Sequence, residues 1–192
     1  LQKDKPRIGF ISSDFELIEY TRDIVKEEIT GETYKPQKHS RDGSVWWAYR
    51  FTSRRYYYFL NTIGIESNKS LEIGRLDIPE EYFFDFLRGE IDGDGSFIGY
   101  GTAFRCCVCS GSKPFLDWLF NYIKKTIAVS GGCIKKGSNV YELEFAIKDS
   151  IKIAEAIYAN KNKPFLSRKY KVVEDWGYYY VTKDKDDRTI RF

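Results

Sequence analysis

Two Asp-Gly pairs stand side by side in FLRGEIDGDGSF, Phe86 to Phe97, at the end of an amphipathic run and just ahead of a strand-like SFIGY. Gly95 lets the chain turn out of the helix, and Asp94 sits at the turn. If two such helices pack side by side, two carboxylates meet at the base of the seam, and like charges that close are costly unless a cation lies between them. Mg²⁺ is the natural ion, because it is hard, takes oxygen ligands and keeps waters. Carboxylates that share divalent metal suit in-line attack of water on a phosphodiester.

The element that must position Asp94 begins at Pro79 and Glu80, a proline and an acid in the first turn of a helix. Phe83, Leu87 and Ile91 form a stripe able to cover a sheet, and Tyr82, Phe86, Gly89 and Gly93 form a second. Gly89 and Gly93 leave a flat strip where another backbone can approach, at a cost of about 1 kcal/mol of helix stability each. Three rival readings use the same residues. DGDG resembles part of a calcium loop but lacks the later Glu. D-x-D-G-S resembles the nucleophile loop of haloacid-dehalogenase-type phosphatases with Asp92 as nucleophile, although FFDFLRGE carries Asp and Arg where an apolar strand belongs. The plainest is an Asp-Gly hairpin turn.

The chain has 192 residues, room for one large domain or two small ones, and 42% hydrophobic content, ample for a core. It has neither a long apolar run nor a signal-type opening, which points to a soluble intracellular protein, in a microbial cytoplasm or an organelle matrix. Cys106, Cys107, Cys109 and Cys133 make no paired CxxC knuckles, and the one histidine is His39, so reduced, mostly buried thiols are expected in preference to zinc. The net charge of +3 is small, but Lys and Arg gather in KPQKHSR, SRRYYY, IKKG and KNKPFLSRKYK with Tyr and Trp interleaved, which suits a groove-tracking surface. The chain contains no Met and opens LQKDKPRIGF as if in mid-stream.

A repeat organises the chain. RIGFISSDFELIEY from Arg7 and RCCVCSGSKPFLDWLFNYI from Arg105 each read as a basic residue, a strand, a Ser-rich cap and a helix, the helices running over 14–29 and 113–129. Each copy continues through a hairpin, turning at Asp42-Gly43 or at Gly137-Ser138-Asn139, into a second helix. The copies lie about 100 positions apart, a small domain's length. One complete unit therefore spans 79–192. It follows a unit over 1–78 whose opening helix and strand, with their acidic motif, are missing.

LRGEIDGDG, Leu87 to Gly95, resembles the nine-residue signature of the LAGLIDADG homing endonucleases, and the flanking repeats match that family's αββαββα unit over nearly the whole chain. The resemblance implies an α+β fold of two pseudo-symmetric half-domains whose concave antiparallel sheets form a DNA-binding saddle. The first half-domain would lack its opening helix and strand. It implies that Asp94 binds the catalytic divalent metal, Mg²⁺ or Mn²⁺, with Ca²⁺ as a non-catalytic substitute. Gly89, Gly93 and Phe86 would face the partner motif helix. A basic residue after each unit's second helix would serve the active site, placing Lys169 and, more loosely, Lys69 there. The implied activity is site-specific hydrolysis of double-stranded DNA at a long, roughly pseudo-symmetric target. The acting species would be a monomer of two half-domains, or a dimer if no upstream motif exists. A non-cleaving relative, an RNA maturase or regulator, is the alternative. The chain departs from the two-motif pattern, since one motif and one acid are present.

Groove-facing strands alternate between core and base contacts. Ser96, Ile98 and Tyr100 share a face. Arg7 and Arg105 occupy equivalent repeat positions and reach toward guanines. Lys135, Lys136, Asn139 and Glu142 flank the second hairpin, as Gln37, Lys38, Arg41 and Arg50 flank the first. Phosphate contacts would set most of the affinity and its salt dependence.

Overall fold

The structure, a computed structural model, describes residues 6–66 and 72–183, with side chains as far as Gly177. The chain divides into two compact units, Leu1–Lys69 and Ser70–Phe192. The break falls at 69/70 rather than 78/79 because the segment ahead of Pro79 belongs to the second unit: Leu76 is buried, and the Ile73 carbonyl accepts from Ser112 Oγ.

In the first unit, β1 (Arg7–Ser12) leads to α1 (Phe15–Ile24), which continues as a π-helical segment over Val25–Thr30. There Thr30 Oγ1 donates to the carbonyl of Val25, five residues back, and Gly31 ends the element at φ +69°. The hairpin of β2 (Gln37–Arg41) and β3 (Ser44–Thr52) turns at Asp42-Gly43, both residues at positive φ, as a two-residue primed turn requires. Ser53 caps α2 (Arg54–Thr62) by accepting from the Tyr56 amide. The antiparallel sheet has the order β1-β3-β2. One face carries Ile8, Tyr49 and Phe51, packed with Ile18, Val25 and Leu60 from the helices.

The second unit opens with a 3-10 turn at Glu80–Tyr82 that feeds α3 (Phe83–Asp94) directly into β4 (Gly95–Tyr100). Next come β5 (Ala103–Ser110), α4 (Lys113–Ile127), β6 (Cys133–Lys136), β7 (Tyr141–Phe145), α5 (Ile147–Tyr158) and α6 (Ser167–Lys183). The sheet order is β4-β5-β7-β6, antiparallel throughout. Its core face carries Phe97, Phe104, Cys106, Val108, Leu143 and Phe145, against which Phe83, Leu87 and Ile91 of α3 are fully buried. The expected sheet-covering stripe is thus the one that packs.

The repeat is visible in register. Ile8 lies opposite Phe51 and Arg7 opposite Thr52, as Cys106 lies opposite Phe145, so Arg7 and Arg105 occupy equivalent positions. Among the described residues, β1, β3 and β2 of the first sheet correspond to β5, β7 and β6 of the second. The fold is α+β, with two antiparallel sheets and six helices among the described residues.

Candidate nucleic-acid interface

The junction of α3 and β4 is built tightly. A Cβ on Gly95 would stand 2.7 Å from the Ile91 Cα and 2.8 Å from the Cys107 carbonyl oxygen, so only glycine fits where the helix turns into the strand. The residue before it, Asp94, is the last of the helix and is exposed. Asp92, in contrast, is 3% exposed, and its Oδ2 accepts from the Leu166 amide at 3.0 Å. A buried carboxylate within a helix cannot be the nucleophile of a strand-end loop, so the phosphatase reading fails. The calcium-loop and hairpin readings fail as well, because Asp92 to Asp94 are helical.

Lys169 lies after α5 and close to Asp94, but buried at the end of α3. It is 4% exposed, and its Nζ donates to the carbonyls of Ile91 at 2.7 Å, Asp92 at 2.8 Å and Gly95 at 2.6 Å. An ammonium there satisfies the orphan carbonyls of the helix end and offsets the negative pole of its dipole, against which the nearby Asp94 carboxylate must otherwise stand. The Lys169 ammonium is thus held by carbonyls on either side of Asp94. Lys69 lies outside the described residues.

The same side of α3 carries further anchors that sequence reasoning missed. Arg88 is buried, donating to the Ile157 carbonyl at 2.9 Å and to Asp85 at 2.6 Å, and Lys163 reaches Asp85 at 2.7 Å. Burial alone would raise the Asp85 pKa, but the bonds from Lys163 and Arg88 outweigh it and hold the carboxyl below its ordinary range. The i, i+3, i+7 spacing of Asp85, Arg88 and Asp92 was a signal for one polar stripe. On the adjoining side of the helix, a Cβ on Gly89 or Gly93 would meet nothing within 4 Å. Phe86 is half-buried within its own unit, its ring edge-on to Trp118 with centroids 6.0 Å apart.

Each sheet has a face away from its core. In the second unit that face carries Ser96, Ile98 and Tyr100 on β4, and Arg105, Cys107 and Cys109 on β5. Glu142 and Glu144 of β7 and Cys133 and Lys135 of β6 lie on it as well. Glu144 is held below its ordinary range by the Lys135 ammonium, which donates at 2.9 Å, while Arg105 lies 3.4 Å away. Burial, a hydrogen bond to Glu142 and nearby carboxylates push the Cys107 thiol up to about 12. Asn139 is exposed in the second hairpin turn.

In the first unit the corresponding face carries Arg7, Gln37, Arg41 and Arg50, with Arg50 donating to Gln37 at 3.2 Å. A cleft of about 370 Å³ there is lined by Arg7, Lys35, Gln37, Arg50, Tyr34 and Thr52, among others, placing three cations around one hollow. Two expected contacts lie on the wrong side. Lys38 pairs with Trp47 and its Nζ sits 5.6 Å from that ring's centroid, on the core side; Lys136 pairs with Tyr141, one position out of phase with Lys135. Strand alternation forbids neighbours from sharing a face.

No protein-family model and no curated protein matches the sequence. Solved structures do match in fold. Full-length DUF199/WhiA from Thermatoga maritima aligns at 13% identity and TM-score 0.63 over 99% of this chain and 57% of that one, so the chain spans little more than half of that protein's length. Mesophilic variants of the homing endonuclease I-DmoI align at 16% identity and TM-score 0.61, over 88% of this chain and 83% of theirs. I-DmoI in complex with DNA and Ca aligns at 15% identity and TM-score 0.56, over 88% and 83%. The chain shares the fold of the LAGLIDADG endonucleases.

Proposed function

We propose that the chain is a site-specific double-stranded-DNA-binding protein of LAGLIDADG type that hydrolyses phosphodiester bonds with Asp94 as a metal-binding acid. The observation that carries the proposal is the α3–β4 junction. A single exposed carboxylate ends a helix whose free side is lined by two unobstructed glycines, and beside it runs a sheet face bearing Ser96, Ile98, Tyr100, Arg105 and Lys135. The DNA-bound structure of similar fold supports duplex DNA as the partner.

Asp94 offers one hard oxygen donor open to the surface, of the kind that would hold Mg²⁺ or Mn²⁺ together with a second motif acid. When bound, such an ion polarises a phosphoryl oxygen and supplies the attacking water. The chain's own residues do the rest. Gly95 and Lys169 fix the position of Asp94. Arg7, Lys35 and Arg50 gather phosphate charge on the first unit. Arg105 presents a guanidinium to a base edge or phosphate, and Ile98 an apolar surface to a thymine methyl. The second carboxylate comes from another motif helix docked on Gly89 and Gly93, in the same polypeptide or in a second copy.

A second reading, binding without cleavage, is favoured by Lys169. The lysine that the resemblance assigns to phosphate is committed to helix carbonyls. Selection of bound duplexes from a randomised pool, followed by incubation with Mg²⁺, separates the outcomes. A selected sequence that is cut supports the nuclease, a selected sequence that stays intact supports the binder, and salt-insensitive or absent binding overturns both.

A further inference from the structure

The exposed sheet face of the second unit holds a donor set that a magnesium nuclease does not need. On β5, Cys107 and Cys109 are two residues apart and so point the same way, while on β7 Glu142 and Glu144 do the same. The register sets Cys107 opposite Glu144 and Cys109 opposite Glu142, so two thiols and two carboxylates form a square across one pair of strands. The Cys107 Sγ and a carboxylate oxygen from each of Glu142 and Glu144 lie within 4.8 Å of one another. Cys107 is only 2% exposed although it lies on the face away from the core. Cys109, half-buried, is close enough to Glu142 and Asp94 to feel both charges.

From this square we infer a binding site for a thiophilic divalent cation of the zinc class, ligated by Cys107, Cys109, Glu142 and Glu144. Metal–ligand bonds of 2.0–2.3 Å require donors about 3.3–3.8 Å apart, so small side-chain rotations close Cys107, Glu142 and Glu144 around an ion, and Cys109 turns in from the position opposite Glu142 as the fourth ligand. The strand pair fixes the four Cα positions and leaves little backbone to reorganise. Two sulfurs exclude Mg²⁺ and Ca²⁺, which demand oxygen shells, and favour a borderline or soft ion. Glu144 yields its long contact with Arg105, at 3.4 Å, and turns from Lys135 as the ion enters. The site does not include Asp94, and it stands whether or not the chain cleaves DNA. The spacing C-x-C against E-x-E carried the signal in sequence, but it became legible only once β5 and β7 were known to be neighbours.

Cobalt reports on it directly. The reduced full chain is titrated with Co²⁺, and the sulfur-to-cobalt charge-transfer absorption is followed. One equivalent produces the band, Zn²⁺ abolishes it, and excess Mg²⁺ leaves it unchanged. Cys109→Ser and Glu142→Gln, both at half-buried positions that leave the core intact, each weaken binding about tenfold or more. Asp94→Asn leaves affinity within about threefold, which separates this site from the motif acid. Absence of the band in reduced protein overturns the inference. So does a band that survives Cys109→Ser but disappears with Cys133→Ser, since Cys133 lies on the same face opposite Glu144.

Discussion

Replacing Lys169 by methionine keeps the side chain's length and removes its charge. Three carbonyls at the end of α3 then lose an ammonium donor at 2.6–2.8 Å in a site 4% exposed. Each hydrogen bond to a charged group is worth about 1.5–3 kcal/mol, but the three share one donor, and release of a buried ammonium returns part of its desolvation cost. The expected net loss is about 3–5 kcal/mol, in the range for breaking a buried charge interaction. Urea denaturation followed by far-UV circular dichroism and by the fluorescence of buried Trp176 measures it. Lys169→Arg, too large for the site, should not rescue stability. An unchanged urea midpoint with activity abolished would refute this reasoning, because it would make Lys169 a reacting group and not a cap.

Gly89→Ala and Gly93→Ala should each stabilise the chain by about 1 kcal/mol, because the added Cβ meets nothing and alanine favours the helix. The same changes should reduce cleavage at least tenfold if a second motif helix docks there; thermal melts and cleavage assays on one preparation read both. Asp85 is held below its ordinary pKa by Lys163 and Arg88, so the unfolded state binds more protons as pH falls. Its contribution is therefore complete above the unfolded carboxyl pKa and is lost as pH drops through the lower folded value. Below about pH 4, wild type should lose stability more steeply than Asp85→Asn, which denaturation across pH 3–6 compares.

The periodicity of Phe83, Leu87 and Ile91 predicted which side of α3 packs, and the first hairpin turn was legible because positive φ at Asp42-Gly43 demands that residue type. Alternation placed Ser96, Ile98 and Tyr100 on one face without any tertiary information. Lys38 and Lys136 were taken from basic clusters flanking the hairpins, and alternation, had it been applied, sets them on the faces of Trp47 and Tyr141. The burial of Lys169 was not legible for a different reason. A lysine near a motif acid reads as surface chemistry until the α5–α6 segment is seen to fold onto the end of α3, a contact 77 residues distant in sequence. The cluster of Cys107, Glu142 and Glu144 was hidden by the same long-range pairing.

The most direct test of the central claim is cleavage and binding by Asp94→Asn on a DNA site selected by the wild-type chain. Asp94 is exposed and bears no core contact, so its change to Asn leaves the fold intact. The account predicts Mg²⁺-dependent cleavage by wild type, at least a hundredfold loss in Asp94→Asn, and duplex affinity within a few-fold of wild type. Cleavage by Asp94→Asn at the wild-type rate would contradict it.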